Sequence, residues 1–171
     1  MLEAQEGRDL AAPKEIVDLV ERFERNLLEY KSSTYNEAQT RKEFIDPFFK
    51  ALGWDMDNER GFTGAYKDVL YESSLKVGSS TKAPDYAFVI NDIKFLVEAK
   101  KPSVNLEENA DPAYQLRSYA WNAKLPISIL TDFEEFAIYD CRYPPKETDK
   151  ANTARINYLK YTDYVTRRWM M

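Results

Sequence analysis

The segment between Pro84 and Lys100 constrains this chain more than any other. Two runs, PDYAFVI and IKFLVEAK, flank the pair Asn91-Asp92. With that pair as a two-residue loop, Ile90 faces Ile93 and the strands pair outward until Asp85 lies opposite Glu98. Side chains alternate along a strand. Tyr86, Phe88, Ile90, Ile93, Phe95 and Val97 therefore share one face, which is a core face. Asp85, Ala87, Val89, Leu96, Glu98 and Lys100 share the other. A slip of one residue would put the aromatic rings in water, so burial sets the register.

The consequence is chemical. Like charges directly opposed in a sheet destabilise it, so a paired Asp85 and Glu98 need a reason, and a bound divalent cation is the obvious one. Carboxylates are ligands that Mg²⁺ accepts, and Lys100 stands where its ammonium reaches both the acids and an incoming anion. Carboxylate-held metal plus a lysine suits phosphate chemistry. The competing explanation is a solvated salt-bridge cluster, a common arrangement in a chain with 31% charged residues.

Two absences narrow the chemistry further. The chain has no histidine and one cysteine, Cys141. Ser-His-Asp and Cys-His catalysis, histidine-bound zinc, internal disulfides and Cys-rich zinc sites are excluded. Hydrolysis here has to come from carboxylates, lysines and a hard metal. The net charge of -5 argues mildly against a dedicated nucleic-acid-binding domain.

The 171 residues suffice for one domain, and 44% hydrophobic residues can build its core. Ile16, Val20, Phe23 and Leu27, widened by Val17, Leu19 and Leu28, predict an amphipathic helix over 14–30. A second helix over 36–52 starts at an Asn36 cap, bends or restarts at Pro47 and stops at Gly53. Strands are expected over 67–77, 84–90, 93–99, 127–130 and 135–140, with a helix over 111–123 opened by Asp111 and Pro112. A polar loop then leads to a tyrosine-rich, helical tail. This order predicts an α/β domain with a mixed sheet whose middle is an antiparallel meander. The acidic, polar start is no signal peptide, and no apolar run approaches the roughly 18 residues of a membrane span. A cytoplasmic protein with no membrane partner is expected.

The motifs also carry a resemblance. Pro84-Asp85 followed by Glu98-Ala99-Lys100 resembles the bipartite PD-(D/E)xK signature of metal-dependent nucleases. The runs Asn36-Glu37-Ala38, Phe44-Ile45-Asp46-Pro47-Phe48 and Leu52-Gly53-Trp54 resemble the opening helix of N-terminal nuclease domains in restriction-modification proteins. These are the domains of type I restriction R subunits and of fused restriction-methylation enzymes. Lys82 to Ala87, Val97 to Pro102, Leu130-Thr131-Asp132 and Phe136 to Asp140 are similar to the same family, so the resemblance covers about residues 35–140.

That resemblance implies a restriction-endonuclease-like core and a Mg²⁺-dependent DNA endonuclease, with Mn²⁺ substituting. Asp85 and Glu98 would be metal ligands and Lys100 would orient or activate the attacking water. The family's helix-borne acid falls on Glu37, which otherwise reads as a first-turn acid favoured by the helix dipole. Gln115 and Tyr119 match a Q-x-x-x-Y element and project from one helical face; otherwise they are an ordinary polar position and a half-buried tyrosine. Lys82, Lys101 and Arg117, with Tyr119, are candidate DNA contacts. The resemblance divides the chain into an arm and helix over 1–34, a nuclease core over 35–142, and a loop and helical linker over 143–171 toward a further domain. Double-stranded DNA and a methyltransferase, motor or specificity domain are the implied partners. The alternatives are a catalytically silent docking or DNA-binding module, or a repair or junction-resolving nuclease of the same fold.

Overall fold

The alternation in the central hairpin seeds a six-stranded sheet whose strands lie side by side in chain order. The computed structural model describes residues 11–72 and 83–166. The strands are β1 (Val69–Tyr71), β2 (Tyr86–Ile90), β3 (Asp92–Ala99), β4 (Ile127–Thr131), β5 (Glu135–Asp140) and β6 (Arg155–Lys160). Only β3 and β4 pair in parallel, and the other neighbours are antiparallel. A parallel pair needs a long crossover. Helix α5 (Ala110–Asn122) supplies it, with the Asn109 side chain accepting from the Asp111 N–H at its start.

The hairpin register agrees with the sequence where burial is greatest. Tyr86 pairs with Val97, Ala87 with Leu96 and Phe88 with Phe95. Toward the tip the expectation fails. The register shifts between Phe88 and Val89, so Val89 pairs with Ile93 and Ile90 with Asp92. Asn91, at φ 63°, makes the turn in the left-handed region that asparagine tolerates. The extra residue on β3 moves Ile93 to the α5 face and leaves Ile90 exposed. Both faces of the hairpin are covered, since Ala87 and Leu96, on the acid-bearing face, are as buried as the aromatics.

The aromatic face is closed by the N-terminal helices. Helix α1 (Lys14–Arg25) buries Ile16, Leu19, Val20 and Phe23. The expected single helix to residue 30 breaks at Asn26, which leaves the helical region, and a short α2 (Leu27–Tyr30) follows with Leu28 exposed. Next come α3 (Glu37–Thr40), a π-helical turn (Arg41–Ile45) and α4 (Asp46–Ala51). The Asn36 cap is present as a capping box with Gln39. Pro47 has no N–H for the Glu43 carbonyl four residues back. The Arg22 guanidinium donates to that carbonyl instead, and the chain widens so that the Asp46 N–H reaches Arg41. Gly53, at φ 98°, then ends the helix.

Phe23, Phe44, Phe48, Phe49, Phe88 and Phe133 interlock on this face, while the α5 face is aliphatic, with Leu96, Leu106, Leu116 and Leu130. The expected helical tail is corrected by the structure. Residues 155–160 are the edge strand β6, and the turn after it (Tyr161–Tyr164) seats Tyr164 in the aromatic core with its hydroxyl on the Phe133 carbonyl. The expected strand over 67–77 is seen as β1, and its second half lies outside the described residues. Among the described residues, no helix is long and apolar enough to cross a membrane.

Candidate active site

The open end of the β2–β3 hairpin meets the start of the π-helical turn and one face of α5. The Asp85 carboxylate sits immediately before β2, and its Oδ2 accepts the Ala99 N–H at 2.7 Å. That bond crosses the hairpin and fixes the acid beside Glu98. Tyr86 ties the neighbouring helix down by donating to Asp46 at 2.7 Å. Asp85 is 6% exposed and Glu98 4%, so neither carboxylate is the solvated group that a surface salt-bridge cluster would need.

Lys100 follows β3, and its N–H donates to the Thr131 carbonyl at 3.0 Å. Its ammonium lies 2.8 Å from Glu98 Oε1 and 3.9 Å from Glu37 Oε2, between the hairpin acid and the helix acid. Arg41, one helical turn beyond Glu37, places its guanidinium 2.5 Å from Asp85 Oδ1. Glu98 Oε2 is buried without a hydrogen-bond partner. From α5, Gln115 Nε2 donates to the Tyr119 hydroxyl at 3.0 Å, and that hydroxyl lies within electrostatic reach of Glu98, Lys100 and Asp85.

Burial, reinforced by Asp85 and opposed by Lys100, pushes the Glu98 carboxyl up to about 7. Burial also raises Asp85, against the Ala99 N–H and Arg41, which favour the carboxylate. Glu37 rises through burial, with Lys100 opposing. Burial works to lower Lys100, but Glu98, Glu37 and Asp85 together outweigh it, and the ammonium keeps its proton. The site thus concentrates negative charge that two side-chain cations only partly balance.

The sequence expectations divide. Asp85, Glu98 and Lys100 come together on one side of the hairpin, with Glu37 approaching from the flanking helix. Gln115 and Tyr119 face the same place, although Tyr119 is buried and its hydroxyl engaged, which corrects its assignment as a DNA contact. Arg117 is corrected too. It is 3% exposed and pairs with Asp149 at 2.8 Å, so it holds the loop after β5 rather than a phosphate. Lys101 is half-buried beside Lys100. Lys82 lies outside the described residues. Arg41 was missed, yet its i, i+4 spacing from Glu37 already placed it on the same helix face.

A divalent ion fits this set in chemistry. Asp85 Oδ1, the unpartnered Glu98 Oε2 and Glu37 are hard oxygen donors, and a buried carboxylate oxygen without a partner is costly unless a cation or proton completes it. The three acids do not form one coordination sphere as they stand. Among the described residues no three acidic or other ligating side chains are gathered for a metal, because Lys100 lies between Glu98 and Glu37 and Arg41 covers Asp85.

Residues 68–147 match the family model of the type I restriction enzyme R protein N terminus. The chain is 42% identical over 152 residues to the type II restriction enzyme and methyltransferase RM.Eco57I of Escherichia coli, which covers 87% of this chain and 15% of that protein. It therefore spans about 15% of the length of the curated relative it matches. No solved structure matches it. The resemblance read from the sequence holds, and the mixed six-stranded sheet flanked by helices is consistent with a restriction-endonuclease-like fold.

Proposed function

We propose that this chain is the DNA-cleaving domain of a restriction-modification protein and hydrolyses phosphodiester bonds with Mg²⁺, for which Mn²⁺ substitutes. The observation that carries the proposal is the buried Glu98 carboxylate, held beside Asp85 and bonded to Lys100, with one oxygen free for a cation. Asp85 and Glu98, with Glu37 directly or through water, would hold the ion. Bound there, the metal would neutralise the phosphodiester's charge and acidify a water. Lys100 is already a donor to Glu98 and keeps its proton, so its part is to orient the nucleophile and stabilise negative charge developing on the phosphate. Gln115 and Tyr119, bonded to each other on α5, would face the reacting groups from the far side of the site.

Target recognition belongs to another domain or subunit in this proposal, since a net charge of -5 gives weak DNA affinity of its own. A methyltransferase, motor or specificity element is the natural partner. The second reading, a silent docking module, is favoured by one observation, the Arg41 guanidinium seated on Asp85. Plasmid nicking separates the two. With high protein, low salt and Mn²⁺ or Mg²⁺, the chain should relax supercoiled DNA, and EDTA or Ca²⁺ should stop it. Asp85→Ala should lose both nicking and calorimetric Mn²⁺ binding. Intact supercoiled plasmid under these conditions, also with the chain joined to its natural neighbouring domains, would sink the nuclease assignment.

A further inference from the structure

The Arg41–Asp85 contact does more than balance charge. Asp85 Oδ2 is committed to the main-chain N–H of Ala99, a backbone donor held at the end of β3 by its pairing with β4. Oδ1 is the oxygen left for a cation, and Arg41 occupies it at 2.5 Å. The two partners differ in freedom. The Asp85 side chain is 8% exposed, whereas the Arg41 side chain is 29% exposed on a long, flexible stem. Two further carboxylates act on Arg41: Glu37, one helical turn back, and Glu72, at 3.9 Å and largely exposed, too screened to retain a guanidinium strongly.

We propose that Arg41 is the resident cation of Asp85, that it leaves when a divalent ion is bound, and that its guanidinium then takes a phosphate of the DNA. This rests on the nuclease reading above. The physical basis is charge. Two buried acids need positive charge, and in the metal-free protein Arg41 and Lys100 each supply one. A doubly charged ion at Oδ1 repels the guanidinium from the oxygen it occupies. Freed, Arg41 stands one helical turn from Glu37 at the site's rim, and its planar fork matches a phosphate's paired oxygens. Metal loading and substrate binding would thereby be coupled through one side chain.

The test uses the 171-residue chain, with Arg41→Met, Arg41→Lys and Asp85→Asn. Mn²⁺ titration without DNA should show Arg41→Met binding about tenfold or more tighter than wild type, Arg41→Lys in between, and Asp85→Asn not at all. In Ca²⁺, which permits binding without cutting, Arg41→Met should lower the salt-dependence slope of DNA affinity by about 0.9, one phosphate contact. In EDTA that slope should not change, because Arg41 is still held by Asp85. Equal or weaker Mn²⁺ affinity in Arg41→Met overturns the exchange, and if that variant does not fold, Arg41→Lys is judged by the same criterion. An equal slope change in EDTA, no change in Ca²⁺, or no wild-type DNA binding in Ca²⁺ at low salt overturns the transfer to phosphate. Neither readout is cleavage, so a failed exchange is distinct from a failed plasmid assay. Absence of Mn²⁺ binding in every protein would bring down both.

Discussion

Two pairs of buried acids lie at the same end of the sheet, because β3 and β4 run parallel and Lys100 bonds to Thr131. One is Asp85 with Glu98. The other is Asp132 with Glu135, in the turn between β4 and β5. In the second pair the donors are fixed, although Asp132 Oδ2, like Glu98 Oε2, is buried without a hydrogen-bond partner. Glu135 accepts the N–H groups of Leu106 and Glu107 and the Tyr158 hydroxyl, and Asp132 accepts the Glu135 N–H at 2.7 Å. Asp132 is fully enclosed, and burial holds its carboxyl well above the usual range. The first pair has one fixed N–H donor and two movable side-chain cations. An enclosed acid held by main-chain donors and a tyrosine hydroxyl is architecture. An acid neutralised by a lysine and an arginine at a rim can change its cation.

The comparison breaks most directly at its lysines. Lys100→Ala should reduce cleavage on the order of 10²–10³ while Mn²⁺ binding persists in calorimetry, since an ammonium is no metal ligand. Lys31, 2.9 Å from Glu134 beside the other pair, is the control, and Lys31→Ala should leave the rate unchanged. Equal losses in both variants would mean that Lys100 acts only on the fold. The next effect lies in the architectural pair. Glu135→Ala orphans two N–H groups and a hydroxyl, and should cost roughly 3–4 kcal/mol, a fall in Tm of roughly 10 °C. The protein that remains folded should bind Mn²⁺ as before. A variant as stable as wild type would contradict the structural role.

The smallest effect is a pH dependence. The Glu98 carboxyl is raised from an ordinary 4.5 to about 7, so the metal-free fold favours its protonated form. That contribution is fully present below about pH 4.5 and is lost as pH rises through about 7. Glu98→Gln removes the loss. In EDTA it should be more stable than wild type at pH 8 by roughly 2–3 kcal/mol, with the gap closed by pH 4, as followed by thermal melts. Adding Mn²⁺ should reverse the order at pH 8, because only wild type gains a ligand. A gap independent of pH would show that Glu98 is not held protonated.

Much of this was legible in the chain. The paired acids, Lys100 and the three central pairs of the hairpin followed from alternation, and the Asn36 cap and the Gly53 stop followed from local chemistry. The hairpin tip was not legible. A two-residue turn and a one-residue turn with a bulge suit Asn91-Asp92 about equally, and the choice moves Ile93 to the other face. Arg117 was misjudged because basic residues default to the surface, and nothing near it in sequence announces Asp149, the partner that buries it. The tail was misjudged because tyrosine-rich residues 155–164 suit either periodicity until the open side of β5 is there to pair with.

The sequence by itself determined which face of the hairpin is apolar, and hence that Asp85 and Glu98 lie together beside Lys100. Strand alternation and the cost of wetting aromatic rings act within a few residues and leave one register for Tyr86–Phe88 against Phe95–Val97. Only the tertiary structure decided what neutralises those acids. Arg41 reaches Asp85 across 44 positions of chain, from a widened turn before Pro47 that is anchored by its own buried Phe44 and followed by Asp46, which Tyr86 ties down. Charge compensation in a buried site depends on where distant segments converge, and no local pattern carries that information.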